Sequence, residues 1–222
     1  LRQPDLGTAI LIVLGGITIL FLVGVRIWKF VVAFVAVAGL IPLVWGHLRD
    51  YQKSRVLTFF DPERDPLGAG YHIIQSKIAL GSGGIVGKGF LLGTQSQLNF
   101  LPEKHTDFIF TVFAEEFGLF GGLVLLALYI LTIAAGFIIS FRVRSQFGRL
   151  LGLGVTATFF IYVFINIAMV MGLIPVVGVP LPLISYGGTA MVTILTGFGL
   201  LMNVHIHREV RIPRRPGSVV ET

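Results

Sequence analysis

Apolar residues in this chain gather in long blocks rather than alternating with polar ones. Five blocks are long enough to cross a bilayer: about 8–25, 29–46, 110–140, 152–173 and 188–204. A helix needs about 20 apolar residues to span the hydrocarbon core. Hydrocarbon offers peptide groups no partner, so each block is predicted to be an α-helix that bonds its own backbone. Runs of β-branched residues such as Val31-Val32-Ala33-Phe34-Val35 do not argue for strand, since Val and Ile are common in membrane helices. An outer-membrane barrel would show segments of about 10 residues with alternating polarity, and the sequence shows none. The predicted fold class is all-α, a polytopic helical membrane protein. Residues 1–222 form one membrane domain with about five transmembrane helices, a large loop at 47–107 and a polar tail at 205–222.

Composition sharpens this picture. The chain is 55% hydrophobic and 13% charged, with a mean hydropathy of +0.88, whereas ordinary soluble domains carry roughly a quarter charged residues. Soluble, nucleic-acid-binding and disordered classes are excluded on these numbers. The net charge of +6 is a topology signal once located. Nine of the 17 cations fall in three short segments: Arg26 and Lys29; Arg142, Arg144 and Arg149; Arg208, Arg211, Arg214 and Arg215. The loop at 174–187 has no charge. Short cationic loops stay in the cytoplasm, which places the loop 47–107 outside and the tail inside. The tail cluster needs no more than topogenesis and lipid headgroup attraction to account for it. Without cysteine there is no disulfide, thiolate nucleophile or Cys-ligated metal. The chain opens at Leu1, with no initiator Met and no charged segment ahead of a cleavable apolar core, and reads as the C-terminal portion of a longer protein.

The loop at 47–107 concentrates the polar chemistry, and loops of this length are usually functional. Ile73, Ile74, Lys77 and Ile78 fall at helical spacing, predicting a short amphipathic helix at the membrane surface that stops at glycine. Gly81 to Gly89 is glycine-rich but does not fit a phosphate loop. That motif needs Gly where Ser82 stands and Ser or Thr where Gly89 stands. The glycines read as tight turns and close backbone approach, with Lys88 left as a candidate for a diphosphate. Asp61-Pro62-Glu63-Arg64-Asp65-Pro66 lacks the EF-hand spacing and reads as a proline-punctuated turn. His47, His72, His205 and His207 make no zinc ligand set.

The segment Leu101-Pro102-Glu103-Lys104-His105-Thr106-Asp107 runs from this loop into the third apolar block, and Glu115-Glu116 follow inside it. If the helix begins at Thr106, then Asp107, Thr111 and Glu115 share one face, with Glu115 roughly 12 Å below Asp107. An intramembrane acid is costly and is a functional hypothesis by default. Two structural readings compete: Asp107 as a helix cap, and Glu115 and Glu116 as hydrogen-bonding partners of neighbouring helices.

These residues carry a resemblance. Gln3 to Thr8, Asp65 to Ser76, Gly87-Lys88-Gly89 with Gly93-Thr94-Gln95, Leu101 to Asp107 with Glu115-Glu116, and Pro175 to Pro182 with Ser185-Tyr186-Gly187-Gly188 resemble, in order, the shape, elongation, division and sporulation (SEDS) family of cell-wall polymerases. The wording from Gly93 to Glu103 is closer to the rod-shape branch than to the division branch. Thr189 stands where the family often has Ser.

The resemblance implies that these are the last five of ten spans. It implies an inverting, lipid II-dependent peptidoglycan glycosyltransferase of cell elongation and rod-shape maintenance, on the outer face of the bacterial cytoplasmic membrane. The implied partners are a class B penicillin-binding transpeptidase and other elongation-complex membrane proteins, with no nucleic acid. It makes Asp107 the catalytic carboxylate, acting as base on a sugar hydroxyl. Lys88 or a divalent cation is a candidate for the diphosphate, with the metal ligands unknown. Gln75, Glu103, His105, Glu115, Glu116 and Ser185 are candidates for substrate binding or support. The alternatives are a lipid-linked precursor flippase and a non-catalytic scaffold for the transpeptidase.

Overall fold

A computed structural model describes residues 6–47, 50–61, 69–97 and 105–210. Among these every regular element is an α-helix. In order they are α1 (Leu6–Leu22), α2 (Ile27–His47), α3 (Asp50–Phe60), α4 (Ala69–Ser82), α5 (Thr94–Gln97), α6 (Ile109–Phe141), α7 (Gln146–Val170) and α8 (Gly188–Ile206). Three of them, α6, α7 and α8, are long and apolar enough to cross a membrane, and α1 and α2 carry shorter apolar runs. The chain is an integral membrane protein.

The central helix is α7, packed by α1 on one side and by α6 and α8 on others. Small residues bring α6 and α7 together. Gly136 and Ser140 on α6 face Thr156 and Gly152 on α7, and a Cβ added at Gly136 would sit 2.5 Å from the Thr156 hydroxyl. A Cβ at Gly152 would sit 2.5 Å from the Ser140 hydroxyl. Two pairs of small residues four apart thus let the backbones approach, the usual route to helix association in lipid. Both hydroxyls stay satisfied on their own helices, Ser140 donating to the Gly136 carbonyl at 2.7 Å and Thr156 to that of Gly152 at 2.9 Å. Above this crossing, Phe110, Leu125, Tyr129, Phe159, Val163 and Ile167 form the main apolar core.

Two expectations about α6 and α4 change on folding. The helix begins at Ile109, not at Thr106, and its N-cap position is Phe108, which makes no side-chain cap bond. It is also broken at Gly118, where φ is 65° and ψ is −165°, a backbone region open essentially to glycine. The outer segment (109–117) therefore bends away from the long segment (119–141), and the tip of Phe110 comes to the position a Cβ on Gly122 would touch. The helix therefore does not run down from Asp107, which lies before it, while Thr111 and Glu115 still share a buried face of the outer segment.

The break at Gly118 also explains the glycine-rich run. Carbonyls of residues 115 and 116, and amides of residues 119 and 120, lose their helical partners at the break. Lys88 and Gly89 amides donate to the Glu115 and Glu116 carbonyls at 3.1 and 3.0 Å, and Leu119 and Phe120 amides donate to the Gly84 and Ile85 carbonyls at 2.9 and 3.1 Å. A Cβ at Gly87 would collide with the Glu116 carbonyl. The predicted amphipathic helix is α4, but its buried stripe is Gly70, Ile73, Ser76, Ala79 and Gly83, while Lys77 and Ile78 are exposed. That stripe is mostly small residues, since it rests on the α6 backbone: a Cβ at Gly83 would strike the Ala114 carbonyl.

Candidate active site

Asp107 lies half-buried in a turn (105–108) at the outer end of α6. The segment 171–187 holds this turn from above. The Ser185 hydroxyl donates to the Thr106 carbonyl at 2.6 Å and accepts from the Leu181 amide at 2.7 Å. The Tyr186 amide donates to the His105 carbonyl at 2.8 Å. From α7, the Asn166 amide donates to the Asp107 carbonyl at 2.8 Å and to the Val179 carbonyl at 2.6 Å. The overlying segment is itself pinned. Tyr129 donates its hydroxyl to the Pro182 carbonyl at 2.6 Å, and the Val177 and Gly178 amides point at the Met169 sulfur at 3.2 and 3.4 Å. Pro175, Pro180 and Pro182 fix φ along it. Leu183 is held at φ 67°, a conformation unusual for a residue with a Cβ and maintained by the surrounding structure.

The main chain of the Asp107 turn is thereby fixed, and its carboxylate lies beside Gly178. Gly178, at φ +77°, would place a Cβ 3.3 Å from Asp107 Oδ2. Next to this point opens a cavity of about 830 Å³ between α1, α7, α8 and residues 178–185, lined by apolar groups including Leu11, Val155, Phe159, Met191 and Phe198. Gly178 and Ser185 are part of its wall.

A second acidic node lies further along the outer segment of α6. Glu115 is fully buried, and its Oε1 is 2.7 Å from Lys88 Nζ. The same oxygen accepts from the Thr94 hydroxyl at 3.2 Å and the Gln95 amide at 3.0 Å. Lys88 Nζ also donates to the Thr94 hydroxyl at 2.7 Å. Such charge pairing with added donors is what a buried carboxylate requires. Lys88, a candidate for the diphosphate, is held at this node.

The structure therefore divides the predicted residues. His105, Asp107 and Ser185 gather at the turn, where His105 contributes its carbonyl and its side chain is exposed. Lys88, Glu115 and Glu116 gather at the break, with Glu116 buried. Gln75 is half-buried on α4 beside Ser76, whose hydroxyl lies 2.8 Å from that of Thr111 and donates to the Val170 carbonyl at 2.8 Å. Glu103 lies outside the described residues. Among the described residues no group of three or more His, Asp or Glu side chains could hold a metal ion. Asn166 was missed, although an amide between Ile165 and Ile167 in an apolar span is itself a signal that a polar partner awaits it.

The model of the cell cycle protein family FTSW_RODA_SPOVE matches residues 1–210. The chain belongs to the FtsW/RodA/SpoVE family. This bears out the resemblance drawn from the motifs. The chain is 59% identical over 210 residues to the peptidoglycan glycosyltransferase MrdB of Escherichia coli K12, covering 94% of this chain and 56% of that protein. It is 41% identical to MrdB of Helicobacter pylori 26695, covering 95% and 54%. It is similar to a chain from a structure on coordination of polymerization and crosslinking by a peptidoglycan synthase complex, with a TM-score of 0.76 and 38% identity, covering 93% and 57%. The rod shape determining protein RodA of Thermus thermophilus matches with a TM-score of 0.60 and 28% identity, covering 94% and 52%. The chain spans about half the length of the curated relatives it matches.

Proposed function

We propose that this FtsW/RodA/SpoVE chain carries the outer catalytic half of a peptidoglycan glycosyltransferase, which polymerises lipid II during cell elongation in the bacterial cytoplasmic membrane. The observation that carries the reading is the Asp107 carboxylate, half-buried beside Gly178 in a turn whose main chain is fixed from three directions. A base must be held at a stated place to take a proton from a hydroxyl.

In this reading Asp107 accepts the proton of the acceptor sugar 4-hydroxyl as its oxygen attacks the donor anomeric carbon. The new C1–O4 bond forms as the C1–oxygen bond to undecaprenyl diphosphate breaks, and that diphosphate leaves with the electron pair. A single displacement inverts the α-linked donor to a β-linked glycan, so no enzyme nucleophile is needed. The apolar cavity beside the turn suits a prenyl chain. Lys88 belongs to the Glu115 node in this reading, and the charge of the leaving group is met elsewhere. A class B penicillin-binding transpeptidase and other elongation-complex proteins are the expected partners, in line with the peptidoglycan synthase complex from which one similar chain comes.

The active face is extracytoplasmic. Gly7 packs on Val177 and Ile19 approaches Gly154, so α1 runs antiparallel to α7. Arg144 also bonds the tail, its amide donating to the Arg208 carbonyl at 3.0 Å. Arg26 and Lys29, the 142–149 segment and Arg208 thus share the side opposite Asp107, which supports the positive-inside orientation. With no native cysteine, Ser82→Cys should react with an impermeant thiol reagent on spheroplasts and Arg142→Cys should not. The reverse pattern would move the site to the cytoplasm.

The test of the activity uses the intact protein with its transpeptidase, lipid II as substrate and gel analysis of the glycan. Asp107→Asn should lower turnover by about 10²- to 10⁴-fold. Wild-type turnover, with partner binding equal, would remove Asp107 as the base. A flippase would instead give no polymer from either form.

A further inference from the structure

We infer that Asn166 is a positioning residue for the Asp107 carboxylate, acting through main chain rather than on the substrate. The inference rests on the reading of Asp107 as the base.

Asn166 is fully buried in α7, in an otherwise apolar stretch. Its amide nitrogen donates both hydrogens to main-chain carbonyls, of Asp107 at 2.8 Å and of Val179 at 2.6 Å. Both partners are acceptors, so chemistry decides the orientation of the amide: the NH₂ group must face them. One side chain therefore ties together two segments far apart in sequence, the turn that carries Asp107 and the segment that covers it. The residue before Val179 is Gly178, which presents its bare Cα face to Asp107 Oδ2. Asn166 thus fixes both the backbone from which the carboxylate springs and the wall against which it rests. Ser185 holds the same turn one residue earlier, at Thr106, but does not reach the wall at Gly178. Ser185 thus holds the turn from within the covering segment, and Asn166 holds both the turn and that segment from α7.

A displacement of about 1 Å in a reacting group costs on the order of 10²-fold in rate. Asn166→Leu keeps a similar volume and removes both donors. In the intact protein with its transpeptidase, it should lower kcat for glycan synthesis by about 10- to 100-fold, with KM for lipid II changed less than about 3-fold. Gly178→Ala, which adds a methyl 3.3 Å from Oδ2, should give the same split and serves if Asn166→Leu fails to insert. In an Asp107→Asn background, Asn166→Leu should add less than about 2-fold, since residues acting as a unit are not additive.

Wild-type kcat for both Asn166→Leu and Gly178→Ala, where Asp107→Asn is inactive, overturns the inference and leaves the base in place. Equal proportional losses from Asn166→Leu with and without Asp107 also overturn it, because Asn166 would then act independently. Normal synthesis by Asp107→Asn alone refutes the base itself, an outcome that needs no Asn166 variant.

Discussion

Asp107 and Glu115 stand at the two ends of one short helical segment, and the protein treats them in opposite ways. Glu115 is fully buried, and its carboxylate is occupied by Lys88, Thr94 and the Gln95 amide. Asp107 is half-buried in a turn whose main chain is held: its own carbonyl, that of Thr106 and that of His105 each receive a donor. At the first node the side chain is used to hold the fold; at the second the fold is used to hold the side chain.

The contrast predicts effects of different kind. On turnover, Asp107→Asn should cost about 10²- to 10⁴-fold with little change in thermal stability, whereas Glu115→Gln should cost less than about 10-fold and lower the melting temperature. Equal effects of the two on turnover, measured with the same partner and lipid II, would erase the distinction between the nodes.

Within the Glu115 node the two partners are unequal. Lys88→Met leaves a fully buried carboxylate without its counter-ion, and breaking a buried pair costs about 3–5 kcal/mol. Lys88 is about one quarter exposed, so water screens the pair and about 2–3 kcal/mol is expected. Glu115→Gln keeps an acceptor for the Gln95 amide and should cost less than Lys88→Met. Thermal unfolding in detergent ranks them, and a Lys88→Met protein as stable as wild type would mean the pair is not holding the loop to α6.

Gly118 tests the break that follows the Glu115 node. Its backbone is open essentially to glycine, and a Cβ would press on the Gly87 amide and the Ile85 carbonyl. Gly118→Ala should cost about 1–3 kcal/mol. It should also loosen the loop, read as faster hydrogen exchange of the Leu119 and Phe120 amides. Unchanged exchange at those amides would show that the straightened helix is tolerated.

The sequence made the helices and the family legible, because block length in hydrocarbon leaves few alternatives and the motif order is specific. It also picked out the acidic residues around α6. It set the helix start at Thr106 instead of Ile109, and it missed the break after the acids, since nothing in the Phe117-Gly118-Leu119 run distinguishes a tolerated glycine from a break. The break is stabilised by a partner thirty residues earlier, the glycine run ending at Gly89, and that pairing is tertiary. The side that α4 turns to the rest of the protein was not legible for a related reason. Hydrophobicity favoured Ile74 and Ile78, but close backbone contact selected Gly70, Ser76, Ala79 and Gly83, the small residues. Asn166 escaped notice because its partners are carbonyls, which no side-chain motif records.

The smallest effect is expected farthest from both nodes, where the α6–α7 turn meets the tail. Arg144 and Glu209 approach to 3.2 Å with side chains 60% and 67% exposed. Exposed pairs contribute about 0–1 kcal/mol, because water and salt screen them and two flexible side chains must be held still. Glu209→Gln should therefore leave the melting temperature in detergent and glycan synthesis near wild type, and 0.5 M salt should change neither mutant nor parent by much. The same salt should also spare the Lys88–Glu115 node, whose carboxylate is fully buried, so the penalty of Lys88→Met should persist at high ionic strength. If salt abolished that penalty, the Glu115 node would behave as a surface pair, and the division between an acid that holds the fold and an acid held by it would fail.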